Sequence, residues 1–153
     1  PVMAMLSYSN FGSDNEGSPA KVHEAVDIMQ REYPDLAIDG EMQVKYAMNN
    51  AARDEKYPFT RLVGKDVNTL IFPNLSSANA TYQLLQSMEE TEVIGPIQMG
   101  LNKPIHFTDC EASVRDIVNI TAIAVIDAIV EKKKKQWENR LISRNPSFSP
   151  FFG

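Results

Sequence analysis

Asp35-Leu36-Ala37-Ile38-Asp39-Gly40-Glu41-Met42-Gln43 reads as a short strand, Leu36 to Met42, that carries an acidic tip at Asp39-Gly40-Glu41. Its apolar residues run on rather than alternate, the habit of a strand covered on both faces in a parallel sheet. Upstream, Val2 to Ser7 is a similar run, closed by the turn-rich Ser9-Asn10-Phe11-Gly12-Ser13-Asp14-Asn15. Between the two runs, Ser18-Pro19 offers an N-cap and a proline at the first helical position. Val22, Ala25, Val26 and Met29 then come at the spacing of one helical face. Tyr33-Pro34 ends that helix, because the residue before proline is pushed out of the helical region.

Downstream the alternation continues. Residues 43–56 predict a weak helix broken before Pro58, and Val67 to Phe72 a third strand stopped by Pro73-Asn74. Ser76 or Ser77 caps a helix whose Ala78, Tyr82, Leu85 and Met88 share one face. Val93-Ile94 and Ile105 to Phe107 read as two last strands joined through the Gly95-Pro96 turn. Ser113 opens a final helix that runs through the lysines toward Arg140 and is apolar on nearly every side from Ile117 to Val130. Such a helix is buried between layers or against another chain. The expected class is α/β, a mostly parallel sheet with helices on both faces.

A chain of 153 residues with 43% hydrophobic composition can bury a core of one domain's size. Twenty acids against 15 basic residues give a net charge of −5, which excludes the basic field that binds nucleic acid. Lys132-Lys133-Lys134-Lys135 is the local exception, and it reads as a solvated helix end suited to the dipole. One cysteine, Cys110, rules out an internal disulfide and fits a reducing, cytoplasmic setting. The Ile117 to Val130 run contains Asn119, Thr121 and Asp127 and falls short of the about 20 apolar residues of a membrane span. The chain opens on Pro1 with strand already under way, the expectation for a segment of something longer.

Four motifs occur in a set order: Ala4-Met5-Leu6-Ser7-Tyr8-Ser9, Asp39-Gly40-Glu41-Met42-Gln43, Ile71-Phe72-Pro73-Asn74-Leu75, and the Gly95-Pro96 segment. Together they resemble the last part of a phosphate acetyltransferase domain. Ser9-Asn10-Phe11-Gly12-Ser13, Tyr57-Pro58-Phe59 and Ala112-Ser113-Val114-Arg115-Asp116-Ile117-Val118-Asn119 point to the form fused to the C-terminus of bacterial NADP-dependent malic enzymes. The resemblance implies an isocitrate/isopropylmalate dehydrogenase-like fold of two lobes with a coenzyme A cleft between them. Residues 1–131 would be the second half of that domain, and 132–153 a basic helix end with a loosely ordered extension. It further implies a homo-oligomer, with the chain's own N-terminal half as a partner. No cofactor is expected in this segment; NADP and Mg2+ or Mn2+ would serve the parent enzyme's malate decarboxylation. Acetyl-CoA or a related metabolite would be the ligand here, with neither nucleic acid nor membrane as a partner.

Active members of this family carry Ser-Arg-Gly before the final helix, an aspartate in its first turn and an arginine late in the preceding helix. Arginines neutralise phosphate and stabilise a developing oxyanion, and the aspartate takes the thiol proton. Here Asp109-Cys110-Glu111 occupies the Ser-Arg-Gly positions and Ser87 the earlier arginine position. A charge placed 4 Å away matters by about 4 kcal/mol at an effective dielectric near 20. Two cations lost and two carboxylates gained therefore turn a phosphate pocket repulsive, and transferase activity is not expected. Asp116 keeps the family position but also completes the capping box Ser113-Val114-Arg115-Asp116. The expected ligand residues are Asn74, Asn79, Asp109, Cys110, Ser113 and Asp116, with Cys110 an unreactive thiol between two acids.

Other polar groups have plainer readings. Asp39 and Glu41 read as a solvated or hydrogen-bonded turn rather than metal ligands, His23 as a surface residue and His106 as a packed one. Residues 7–13 have the composition of a phosphate-cradling loop, a common one. Two histidines and one cysteine cannot build a zinc constellation.

Overall fold

The central strand β1, Val2–Leu6, has β2, Ala37–Met42, on one side and β3, Thr69–Ile71, on the other, all three parallel. The register runs Val2 opposite Ala37 and Met3 opposite Thr69, then slips on the β2 side between Met5 and Leu6. That slip leaves Glu41 without a Cα partner, as the extra residue of a bulge. These relations hold in a computed structural model that describes residues 1–88 and 91–144. The chain falls into two units, Pro1–Met88 and Glu89–Gly153.

In the first unit, α1, Gly17–Glu32, joins β1 to β2 and buries Pro19, Val22 and Val26, the face expected from the spacing. Ser18 lies inside this helix instead of capping it; Glu16 holds the N-cap position and makes no side-chain cap bond. The helix expected over 43–56 is two short ones, α2, Val44–Ala47, and α3, Asn50–Lys56, with Asn49 capping the second through Ala52 N. The core gathers Ala4, Leu6, Met42, Tyr46, Ala47 and Leu62. The loop after α3 is held by Arg53, which is fully buried. Its Nη2 donates to the carbonyls of Leu62 at 2.7 Å and Lys65 at 2.9 Å. The last helix of the unit is α4, Leu75–Gln86. Its cap is Asn74, whose side chain accepts from Ser77 N, and not Ser76 or Ser77. Asparagine wins because it sits one residue before the helical dihedrals begin.

The second unit is dominated by α5, Val114–Arg144. The strands expected at Val93-Ile94 and Ile105 to Phe107 do not form. Apolar character alone does not make a strand; a ladder needs a neighbour's N–H and C=O groups, and no strand pairs with them among the described residues. The Gly95–Pro96 peptide between them is cis. The apolar residues of α5 stay largely exposed within this chain: Val118 at 60%, Ile126 at 60% and Val130 at 57%. The lysine run lies within α5, with Lys135 paired to Glu131 one turn earlier at 2.6 Å. No helix among the described residues is long and apolar enough to cross a membrane. Residues 145–153, expected to be loosely ordered, lie outside the described ones.

Candidate functional site

The start of α5 is built by a reciprocal cap. Asp116 N–H donates to Ser113 Oγ at 3.2 Å, while Ser113 N–H and Oγ–H donate to Asp116 Oδ2 at 3.0 and 2.6 Å. This is the capping box expected from residues 113–116. Hydrogen bonds from the Ser113 hydroxyl, then its N–H, hold the Asp116 carboxyl below its usual pKa. Just before the cap the chain turns over Asp109, whose Oδ1 accepts from Glu111 N at 3.2 Å and whose carbonyl accepts from Ala112 N at 3.2 Å. Asp109, Cys110, Glu111, Ser113 and Asp116 are all exposed. Arg115 is the cation nearest in sequence, and its guanidinium is held by Glu92 Oε2 at 2.6 Å. The α5 start therefore presents carboxylates and helix N–H groups, with its arginine already paired. Asn74 and Asn79 belong to the first unit, the former spent on the α4 cap and the latter exposed on that helix.

Asp39 and Glu41 depart from the turn reading. Both lie within β2 and are buried, Asp39 at 8% and Glu41 at 0% exposure. Their partners separate them. Asp39 Oδ2 accepts from Thr60 Oγ1 at 2.5 Å and Arg61 N at 2.8 Å, and Oδ1 from Gln30 Nε2 at 3.1 Å. Glu41 Oε1 accepts from Ser9 Oγ at 2.9 Å and Gly12 N at 2.7 Å, and Oε2 meets His23 Nδ1 at 3.0 Å. Burial pushes the Glu41 carboxyl toward protonation, but its hydrogen bonds, led by the Gly12 N–H, hold it below its usual pKa. The loop over 7–13 does cradle an anion, and that anion is Glu41. Its neighbouring N–H groups are occupied too: Asn10 N donates to Ser13 Oγ at 3.0 Å, Phe11 N to Glu41 O at 2.8 Å and Ser13 N to Asn10 O at 3.1 Å. Residues 10–13 thus keep no N–H for a phosphate. His23, read as a surface residue, is half-exposed and tied to this network.

His106 is packed, with its side chain 4% exposed, and its Nε2 lies 3.1 Å from Asp127 Oδ2 on α5. Sequence reading missed that pairing because 21 residues separate the two. No group of three or more His, Cys, Asp or Glu able to hold a metal occurs among the described residues.

Known proteins resemble this chain over most of its length. Residues 1–125 match the family model described as phosphate acetyl/butaryl transferase. The NADP-dependent malic enzyme of Salmonella typhimurium is 42% identical over 129 residues, 84% of this chain and 17% of that protein. The phosphate acetyltransferase of Clostridium acetobutylicum is 41% identical over 128 residues, 84% of this chain and 38% of that one. Among solved structures, a phosphotransacetylase from Streptococcus pyogenes superposes with a TM-score of 0.74 at 37% identity, covering 87% of this chain and 39% of its own. The chain thus spans well under half the length of the relatives it matches.

Proposed function

This chain belongs to the phosphate acetyl/butaryl transferase family, and from that premise we propose that it is the C-terminal regulatory module of an NADP-dependent malic enzyme. In this reading it binds acetyl-CoA or a related metabolite and does not transfer acyl groups to phosphate. Malate decarboxylation, NADP and the divalent metal belong to the preceding part of the protein. Relatives of both kinds match at nearly the same identity, so the choice between regulator and transferase rests on the site.

The observation that carries the reading is the acidic start of α5. Asp109 and Glu111 stand where the family's serine and glycine flank its arginine, Cys110 replaces that arginine, and Arg115 is neutralised by Glu92. The inorganic phosphate that accepts the acyl group, and the oxyanion formed as it attacks, need cations aimed at them. Carboxylates beside the phosphate repel it instead. A thioester is uncharged at its reacting end and tolerates the same surroundings, so docking survives where acyl transfer to phosphate does not. Asn74, Asn79, Asp109, Cys110, Ser113 and Asp116 are the residues we assign to the ligand. Regulation results if the ligand binds one quaternary state better than another; a tenfold preference shifts the equilibrium by about 1.4 kcal/mol.

A structural role accompanies the sensing one. Val118, Ile126 and Val130 on α5 are more than half exposed in the isolated chain, an arrangement that favours cover by further protein in an oligomer. Calorimetry of the intact protein tests the main reading. Saturable acetyl-CoA binding that inorganic phosphate leaves unchanged is the expected result, and absence of acetyl-CoA binding removes the sensing role.

A further inference from the structure

Along α5, Val118, Ala122, Val125 and Ile129 recur at spacings of four, three and four residues, and all four are exposed within this chain. That spacing sets them in a single row down the helix, the seam that one helix offers another when each side chain fits between four of its neighbour's. The row is about 17 Å long at 1.5 Å per residue. Ala122, near its middle, is small enough to let a second helix come close, because interaxial distance follows the size of the side chains at the contact.

Charge decides what that second helix is. The start of α5 is acidic, with Asp109, Glu111 and Asp116 exposed. Its one cation there, Arg115, is already offset by Glu92 Oε2 at 2.6 Å. Hydrogen bonds from Ser113 hold the Asp116 carboxyl below its usual pKa, so it keeps its charge. The far end is basic, with Lys132, Lys133 and Arg140 exposed and Lys135 paired to Glu131. A second α5 running the opposite way supplies the complement to both ends. A copy running the same way sets acid on acid and lysine on lysine.

We propose that the row from Val118 to Ile129 is the contact between two copies of this chain, their α5 helices antiparallel about a two-fold axis. This rests on the oligomer reading above and names its partner and its direction. A two-fold contact is self-complementary. Val118 lies opposite Ile129 of the partner subunit, and Ala122 opposite Val125 of the partner subunit. The same register sets Lys132 of the partner subunit level with Arg115, whose charge Glu92 offsets, and carries the basic end beyond it over Asp109 and Glu111.

The test uses the full chain. Sedimentation should show a dimer that weakens as salt is raised, since exposed charges are screened. Ala122→Arg places a charge at the middle of the row and should abolish the dimer. Lys132→Glu combined with Lys133→Glu should raise its Kd at least about tenfold, because each change acts twice across a two-fold contact. Direction is read by disulfides in a Cys110→Ser background, which removes the chain's one cysteine. Copies carrying Val118→Cys, mixed with copies carrying Ile129→Cys, should give the mixed disulfide in preference to either same-site one. A dominant same-site disulfide at residue 118 overturns the antiparallel pairing. A dimer that Ala122→Arg leaves intact overturns the α5 contact while the oligomer reading stands. A wild-type chain that stays monomeric at high concentration removes both.

Discussion

Removing the Glu41 side chain should cost several kcal/mol, because it empties the anion cradle of the first unit's polar interior. Its carboxylate is fully buried and takes Ser9 Oγ at 2.9 Å, Gly12 N at 2.7 Å and His23 Nδ1 at 3.0 Å. Hydrogen bonds to a charged group contribute about 1.5–3 kcal/mol each, and truncation leaves the Gly12 N–H without its acceptor. The half-exposed His23 adds under about 1 kcal/mol. Glu41→Ala is therefore expected to lose about 4 kcal/mol. At a urea m-value of about 2 kcal/mol/M this lowers the midpoint by about 2 M, read by far-ultraviolet circular dichroism. Glu41→Gln keeps the shape, an acceptor for Gly12 and Ser9, and an N–H for a neutral His23, and should lose only about 1–2 kcal/mol. An alanine variant within about 1 kcal/mol of the parent, or a glutamine variant as damaged as the alanine one, refutes the reasoning. The pH dependence gives a second reading. A carboxyl whose native pKa is depressed stabilises the fold above its unfolded value, about 4.3, and that stability is lost as pH falls through the lower native value. Glu41→Ala should flatten this acid limb.

The geometry sets three further outcomes. Gly40 has φ +151°, and a Cβ there would lie 2.5 Å from the Met5 carbonyl oxygen; Gly40→Ala should leave no soluble folded protein on expression, and a normal melting curve would contradict this. Arg53→Met removes a buried guanidinium and leaves the Leu62 and Lys65 carbonyls unpaired, so it should cost about 3–5 kcal/mol by urea unfolding; Arg53→Lys should recover little, since one ammonium cannot reproduce the planar fork. Ser113→Ala deletes the α5 cap and should cost about 1 kcal/mol, visible as faster amide exchange in the first turn of α5 while β1 is unchanged.

The elements that sequence made legible are those whose cause is local. The three parallel strands, the α1 face at Val22 and Val26, and the Ser113–Asp116 cap all arise from residues within a turn or two of one another. Long-range partnership was hidden. Asp39 and Glu41 read as a solvated or hydrogen-bonded turn because charge usually marks solvent, and the hydrogen bonds are there, but within a buried strand and to partners at residues 9, 12, 23, 30, 60 and 61. Val93-Ile94 and Ile105 to Phe107 have strand composition but lack a ladder neighbour. The α4 cap is ambiguous in sequence because Asn74, Ser76 and Ser77 are all cap formers within four residues, and the structure settles on Asn74. Of the candidate site, Ser113 and Asp116 were readable as a unit. The His106–Asp127 pair was not, because nothing in either residue's own neighbourhood announces the other.

Cys110 in place of the family's arginine before α5, with the carboxylates of Asp109 and Glu111 on either side of it, is what silences acyl transfer to phosphate in the reading proposed above. Acetyl phosphate formation from acetyl-CoA and inorganic phosphate, measured on the intact protein, tests this most directly. The expected result is no product above the enzyme-free blank at any phosphate concentration. Saturable turnover with phosphate, lost on mutating Asp116, would contradict it.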